Sequence, residues 1–306
     1  MIRIEPGGKT LGARVTGVDL ERPLSDADFE GVVRALADHG VLCFPGQPIE
    51  AAALRAFSSR FGGLQAMSSG NKDRCEPGFP EVSILSNVIE NGRPIGIPDA
   101  GQDWHTDMTY NRVMGYVNVL VAKKVPVRDG KVLGATEFTD TQAAYEDLPA
   151  DVKARLAGAT ATHDWNKFHE LMRSKGSQRP ALTQAQRGER PPVSHPVFLT
   201  HPINGRKIIY VNPGFTVSID GLAPAESADM LDFLFAHVLQ PPYRYSHQWA
   251  VGDVLVWDHL RTWHCAIGDY TAGEHRLMKR CQVLADRVFD PAFLAASGNA
   301  RMTASA

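Results

Sequence analysis

The sequence has no long hydrophobic run, no strong net charge and few cysteines. No stretch of about 18 apolar residues occurs in it, and its opening residues, MIRIEPGGKTLGARVTGV, lack the apolar segment of an export signal. We therefore expect neither export nor membrane spanning, and a cytoplasmic location. The formal net charge of -2 generates no long-range field that would attract a polyanion, so nucleic acid is not an expected partner.

The cysteines are scattered and form no C-x-x-C pair, which argues against a zinc knuckle or a disulfide framework. They are Cys43, Cys75, Cys265 and Cys281. Hydrophobic residues make up 43% of the 306-residue chain and charged residues 22%, which is enough apolar material for a full core. We interpret residues 1–306 as one catalytic domain with insertions, in which residues 297–306 form a flexible tail.

Short apolar runs alternate with turns rich in Gly, Pro, Asn and Asp, at about residues 82–138 and again at 197–220 and 251–285. This pattern is typical of antiparallel β structure. Helical spacing precedes the first block, where Ser25 is placed to cap a helix that Gly40 ends. The sequence therefore predicts a mainly β fold with flanking helices, of the double-stranded β-helix (jelly-roll, cupin-like) type.

The segment 163–194, between the two β-rich blocks, is polar, basic and rich in proline. Loops of this length in compact proteins are either functional lids or disordered. The sequence does not separate these alternatives, and we interpret the segment as a lid insertion.

A candidate metal site begins in the run QDWHTD, where His105 and Asp107 lie two residues apart. On an extended strand such residues point to the same side, so one imidazole and one carboxylate can reach one metal ion. Taken alone the pattern is weak, since a chain with 11 histidines and 34 acidic residues contains such pairs by chance. A third ligand must come from elsewhere.

The best third ligand is His264, which follows a short apolar run where the chain turns back. Nearby or pre-proline histidines compete for the role: His259, His195 and His201. Two histidines and one carboxylate that leave three coordination positions open are the arrangement of non-haem iron(II) oxygenases. Zinc accepts the same ligands, but it has no redox chemistry and would favour hydrolysis.

Arg276 and Arg280 are four residues apart in the run HRLMKR. If this run is a strand, the even spacing directs both guanidinium groups to one face, toward the interior that holds the metal. A buried arginine nearly always has an anionic partner, and its planar fork binds carboxylates. A solvated basic patch is the alternative interpretation.

Several motifs, in this order, resemble a known family. They are Thr16–Leu20 (TGVDL), Phe57–Gly62 (FSSRFG), Trp104–Asp107 (WHTD), Ala143–Tyr145 (AAY), Tyr210–Asn212 (YVN), and Trp257 and Asp258 shortly before His264. Together they make the chain similar, from about residue 12 to 287, to the taurine dioxygenase and 2,4-dichlorophenoxyacetate dioxygenase (TauD/TfdA) family of iron(II)/2-oxoglutarate-dependent enzymes.

The resemblance implies a role for each matching position. His105, Asp107 and His264 would bind Fe(II), and Thr136 with Arg276 would hold the distal carboxylate of 2-oxoglutarate. Dioxygen is the second co-substrate, and the family couples decarboxylation to succinate and CO2 with hydroxylation of a C–H bond. Relatives commonly assemble as dimers or tetramers, so a homo-oligomer is expected.

The departures from the family pattern concern the substrate. The resemblance makes Arg280 the residue that binds the acidic group of the substrate. Met67 and Gly101 stand in the regions where taurine-type members carry sulfonate-binding His and Asn side chains. Taurine is therefore not the expected substrate, and we predict another small organic acid, whose product is either a stable alcohol or one that fragments later.

Two rival functions remain open at the level of sequence. A zinc- or manganese-dependent hydrolase or isomerase on a cupin-like barrel would use the same three ligands without needing Arg276 and Thr136. A non-catalytic binding protein would keep the barrel and lose the chemistry. A requirement for 2-oxoglutarate separates the first rival from a dioxygenase, and release of succinate separates the second.

Overall fold

The computed structural model describes residues 2–8, 10–67, 74–177, 180–188 and 190–289. Within these ranges there are seven α-helices, numbered α1 to α7 in chain order. They are Asp26–His39, Ala51–Ser59, Thr141–Glu146, Ala150–Arg155, Trp165–Ser174, Gln184–Gly188 and Pro224–Val238. A 3-10 turn follows α7 at Pro241–Tyr243. Among the helices of the described ranges, none has both the length and the apolar character that crossing a membrane requires.

The strands of the described residues are numbered β1 to β20. They are Arg3–Pro6, Ala13–Thr16, Val41–Phe44, Cys75–Glu76, Phe79–Ser86, Ile89–Glu90, Arg93–Pro94, Gly115–Lys124, Val127–Arg128, Lys131–Val132, Thr136–Asp140, Thr160–His163, Val193–Pro196, Phe198–Thr200, Lys207–Ile209, Thr216–Ile219, Arg244–His247, Val254–Asp258, Thr262–Ala266 and Leu277–Leu284. The prediction of a mainly β chain with flanking helices is confirmed.

The largest sheet has eight strands in the order β1-β2-β3-β18-β8-β20-β5-β4, and nearly all of its pairs are antiparallel. Its two faces are both buried, which explains why its central strands are almost continuously apolar. Val119 and Val121 of β8 face the helices α1 and α2, whereas Leu120 and Ala122 face the other way. This alternation is the two-residue period of a strand.

A three-stranded sheet, β17-β11-β19, packs against the second face of the large sheet. Phe138 of β11 and Trp257 of β18 meet between the two sheets, with ring centroids 5.5 Å apart. Asn118 lies two residues from Leu120 on β8, so its side chain is on this inner face. Met278 of β20 is also on this face, and Arg280, two residues later, points the same way. The space between the sheets is therefore where polar side chains of β8 and β20 can meet those of β19.

Helix α1 begins and ends where the sequence predicts. The Ser25 hydroxyl accepts a hydrogen bond from the Asp28 backbone N–H at 3.1 Å. Gly40, with φ 66°, donates its N–H to the Leu36 carbonyl at 2.7 Å. A positive φ costs glycine little, so the chain can turn there directly into β3.

The structure describes most of the predicted segment 163–194 but none of the predicted tail. The segment 163–194 contains the helices α5 and α6 rather than continuous loop, and β13 starts at its end. The predicted tail 297–306 lies outside the described residues.

Candidate metal centre and substrate pocket

Three potential metal ligands converge at the end of the space between the two sheets. The donor atoms of His105, Asp107 and His264 all lie within 4.8 Å of one another. His105 Nε2 is 3.4 Å from Asp107 Oδ1, and His264 Nε2 is 3.7 Å from Asp107 Oδ2. All three side chains are buried. Side chains that are 157 residues apart in sequence, from 107 to 264, thus surround one point.

The backbone that positions this cluster differs from the predicted strand. His105 forms a single β-bridge with His264, in which each N–H donates to the carbonyl of the other, at 3.1 and 2.8 Å. Asp107 already lies in a turn, and the next residue, Met108, has a φ of 65°. The prediction of an extended strand at 105–107 was therefore wrong, because only one residue pairs before the chain bends.

Neighbouring groups orient the three side chains. The carbonyl of Asp103 can only accept, so His105 Nδ1, 2.7 Å away, carries the ring proton and Nε2 is left free to bind a metal. Asn118 donates its side-chain N–H to Asp107 Oδ2 at 3.1 Å, and an Arg280 guanidinium N–H donates to the same oxygen at 3.3 Å. Burial raises the pKa of Asp107, but Arg280 and the two histidines outweigh it, so the pKa lies well below its usual value.

The donor set fits a divalent iron ion. Burial and the proximity of His105 hold the pKa of His264 well below its usual value, so the ring is neutral and can donate a lone pair. The Asp107 carboxylate is ionised, as a metal ligand must be. Two neutral imidazoles and one carboxylate are the ligand set of non-haem iron oxygenases.

The competing histidines have other surroundings. His201 Nε2 contacts Asp258 Oδ2 at 2.7 Å, and His195 Nε2 lies 2.9 Å from the Asn111 carbonyl. His259 packs against His264 with ring centroids 6.0 Å apart, and burial lowers its pKa to about 4. Among the described residues these three histidines belong to no group of potential metal ligands.

Arg276 is a buried cation that directly precedes β20. Its side chain is 5% exposed, its Nε has no hydrogen-bond partner among the described residues, and no carboxylate in that part of the chain pairs with it. Burial lowers its pKa, and the Tyr270 phenol opposes this shift. A buried guanidinium whose side-chain hydrogen bond goes to a phenol, with no carboxylate beside it, calls for an anionic ligand.

Thr136 is buried at the start of β11, and its hydroxyl accepts a hydrogen bond from Trp249 Nε1 at 3.0 Å. Gly134, two residues earlier, has a φ of 71°, and a Cβ at that position would come within 3.2 Å of Arg276 Cδ. Glycine therefore lets this segment approach the guanidinium stem closely.

A cavity of about 350 Å³ opens beside the metal cluster. His105, Asp107 and the predicted substrate residues Met67, Gly101 and Arg280 all line it, whereas Thr136 and Arg276 do not. A Cβ at Gly101 would lie 3.2 Å from His105 Cε1, so a side chain there would crowd the ligand. The structure brings two of the candidate metal ligands, His105 and Asp107, and these three residues to one pocket, whereas His264 does not line it.

Sequence reasoning missed the aromatic wall of this pocket and the contact of Asn118. Trp165 and Phe168 come from α5, and Tyr110 and Phe215 come from loops. Nothing in the local sequence identifies loop aromatics as neighbours. Asn118 did carry a signal, because it is the one polar residue inside the apolar run YVNVLVA of β8.

A second group of potential ligands lies outside the pocket and consists of Cys43, His247 and Asp253. His247 Nε2 is 3.3 Å from Asp253 Oδ2 but forms no hydrogen bond within the described part of the chain. Burial raises the pKa of the Cys43 thiol to about 12, so the thiol stays protonated beside this pair. A protonated thiol is not a metal ligand, so we assign no metal to this group.

Comparison with known proteins agrees with the geometry of the site. The family model "Taurine catabolism dioxygenase TauD, TfdA family" matches residues 3–282. The chain belongs to this family, and it is a 2-oxoglutarate-dependent dioxygenase that uses Fe(II), 2-oxoglutarate and O2. The resemblance drawn from the sequence motifs is thereby confirmed.

Individual relatives cover nearly the whole chain. The chain is 32% identical to pentalenolactone F synthase of Streptomyces arenae, over 93% of this chain and 95% of that protein. It is 30% identical to the alpha-ketoglutarate-dependent 2,4-dichlorophenoxyacetate dioxygenase of Cupriavidus pinatubonensis, over 91% and 96%. A solved structure described as an alpha-ketoglutarate-dependent 2,4-D dioxygenase from Burkholderia xenovorans superposes with a TM-score of 0.76, at 27% identity and covering 94% and 98%.

Proposed function

We propose that the chain hydroxylates a small organic acid while converting 2-oxoglutarate and O2 into succinate and CO2. The observation that carries this proposal is the convergence of His105, Asp107 and His264 on one point, beside a cavity that His105, Asp107 and Arg280 line. Relatives named for phenoxyacetate and phenoxypropionate dioxygenation support an organic acid as the substrate. In this proposal the fold is a double-stranded β-helix, whose two sheets enclose the reacting groups.

Each polar residue has a distinct part in the proposed reaction. His105, Asp107 and His264 hold the iron, which supplies the redox chemistry with dioxygen that side chains lack. Arg276 and Thr136 bind the distal carboxylate of 2-oxoglutarate, which gives the buried guanidinium the anion that it lacks. Arg280 binds an acidic group of the substrate next to Asp107.

The segment 163–194 is proposed to close the pocket. Its helix α5 supplies Trp165, Phe168 and His169 to the cavity lining, and Arg190 lies at its other end. These aromatic rings keep water away from the reacting carbon. Excluding water prevents side reactions that consume 2-oxoglutarate and O2 without hydroxylating the substrate. Met67 and Gly101 complete the opposite side of the lining.

The test has two stages. Adding Fe(II) and 2-oxoglutarate to the protein without oxygen should produce the visible charge-transfer absorption of a 2-oxoglutarate–iron chelate. A panel of aryl and alkyl carboxylic acids is then screened in air for succinate release that depends on both 2-oxoglutarate and the acid. If no acid in the panel raises succinate release above the rate without substrate, the proposed substrate class is wrong.

A further inference from the structure

Arg190 differs from Arg173, Lys175 and Arg187 of the 163–194 segment because no carboxylate of the described residues pairs with it. Arg173 and Arg187 both contact Glu170, at 2.9 and 2.5 Å, and Lys175 contacts Asp103 at 2.5 Å. Arg190 is only half-buried, yet no acidic side chain among the described residues lies within ion-pair distance of it. Its positive charge is therefore available to a ligand in the cavity that it lines.

The guanidinium of Arg190 is held over two aromatic rings. Its Cζ lies 4.9 Å from the centroid of Trp165 and 5.6 Å from that of Tyr110. Such stacking, with a hydrogen bond to the Tyr110 hydroxyl, fixes the orientation of the long side chain and leaves its other N–H groups able to bind an anion. An arginine oriented in this way loses less conformational entropy on binding than a freely moving one.

An aromatic wall separates Arg190 from the metal ligands. Tyr110 lies 4.8 Å from Phe215, and Phe215 lies 5.1 Å from Phe168 and 6.0 Å from His105, all between ring centroids. Arg280, in contrast, contacts Asp107 at 3.3 Å. Three arginines thus line the cavity, Arg74, Arg190 and Arg280. Arg280 lies beside the metal ligands and Arg190 lies beyond the rings, with an apolar surface between these two.

Tyr110 adds a neutral donor next to the outer arginine. Tyr110 is partly buried; burial and the charge of Asp107 raise the pKa of its hydroxyl, and Arg190 and Arg280 oppose that rise. The hydroxyl therefore stays protonated. It can donate to an anion that also contacts Arg190.

We propose that Arg190, with Tyr110 and Trp165, forms an outer anion subsite, and that the substrate is an organic diacid. One acidic group lies at Arg280, the apolar body lies along the aromatic wall, and the second acidic group binds Arg190. This inference rests on the proposed function, because it takes the cavity as the substrate site. A volume of about 350 Å³ suits a body of roughly one ring between the two acids.

The experiment compares each diacid with its own monoamide, which has nearly the same shape and one charge less. The pairs are aryl diacids such as 1,4-phenylenediacetate. Affinity is measured by calorimetry on the holoenzyme, loaded with Fe(II) and 2-oxoglutarate without oxygen, and turnover is measured separately in air. The wild type should prefer the best diacid by about tenfold or more, the size of a charge-assisted hydrogen bond.

Arg190→Gln should bring this preference close to one while the affinity for 2-oxoglutarate stays unchanged. Arg190→Lys should recover part of it, and Arg187→Gln, whose arginine is paired with Glu170, should leave it intact. A wild type without preference in any pair, or a preference that survives in Arg190→Gln, would overturn the proposal. Diacid preference in calorimetry without succinate release in air would instead reject the proposed reaction and keep the subsite.

Discussion

Three kinds of contact meet at the carboxylate of Asp107. Two histidine rings approach it from one side, and Asn118 and Arg280 donate hydrogen bonds from the strands of the large sheet. Its ionised state is therefore fixed before any metal binds. A buried carboxylate that carries so many cationic and donor neighbours is better explained by a ligand role than by stability, because buried ion pairs contribute little net stability.

Replacing Asp107 with alanine should abolish substrate-coupled succinate release and leave the fold intact. The variant removes one of three candidate ligands, and Arg280, which loses its carboxylate partner, lines the cavity and can be solvated there. Succinate release and far-ultraviolet circular dichroism measure the two effects, and Asp38→Ala, at an exposed position of α1, is the control. Unchanged turnover would remove Asp107 from the site.

Arg276, directly before β20, and Arg280, within it, should affect different kinetic constants. Arg276→Gln should raise the KM for 2-oxoglutarate by about tenfold or more, because a charge-assisted hydrogen bond to the distal carboxylate is lost. Arg280→Ala should raise the KM for the organic acid more than the KM for 2-oxoglutarate. Steady-state kinetics with each substrate varied in turn gives both values, and the reverse result would exchange the two roles.

Among the elements, helix α5 links folding to substrate binding. It begins at an Asp164 cap, whose side chain accepts from the Asn166 N–H at 2.9 Å, and its first turn carries Trp165 and Phe168 to the pocket. The cap satisfies an otherwise unpaired backbone donor, so it fixes where the helix starts. The position of the aromatic wall thus depends on one polar side chain outside the pocket.

Asp164→Ala should lower the free energy of unfolding by about 1 kcal/mol and raise the KM for the organic acid. The KM for 2-oxoglutarate should not change, because α5 does not contact Arg276 or Thr136. Asp164→Asn keeps a capping oxygen and serves as the matched control. If both variants behave alike in chemical denaturation and kinetics, the cap does not position the wall.

Residue spacing predicted the local structure correctly at Arg276 and Arg280 but not at His105 and Asp107. The even spacing of Arg276 and Arg280 indicated a shared face, and β20 places Met278 between them on the inner side of the sheet. The spacing of His105 and Asp107 indicated a strand, yet the chain forms one bridge and turns. Local spacing describes repeated structure well, but a bend set by a contact with distant His264 is not encoded in the nearby residues.

For the whole molecule, the sequence predicted which ligands meet but not how the pocket is closed. The residues alone left His259, His195 and His201 open as third ligands, and the resemblance of the motifs to the TauD/TfdA family selected His264. The position of Arg190 against Trp165 and Tyr110 could not be predicted. It depends on how two short helices and a loop fold back over the sheets, and no periodic pattern specifies that path.

Acid should destabilise the folded chain partly through His163, which is buried in β12. Its Nδ1 lies 3.2 Å from the Thr216 hydroxyl, and burial, with a smaller effect of nearby His195, lowers its pKa from 6.5 to about 3. As the pH falls below 6.5, His163 binds a proton in the unfolded chain but stays neutral in the folded chain. The free energy of unfolding should therefore decrease by up to about 1.4 kcal/mol per pH unit from this residue.

The contribution of neutral His163 to the free energy of unfolding is fully present above pH 6.5 and is lost as the pH falls toward 3. His163→Asn keeps a polar atom near Thr216 and removes the titration, so its unfolding free energy should fall less steeply between pH 6.5 and 5. Urea denaturation at several pH values measures the slope, and His275→Asn, at an exposed position, is the control. Equal slopes in wild type and His163→Asn would mean that His163 is protonated in the folded chain, because only a group whose pKa differs between the two states links pH to stability.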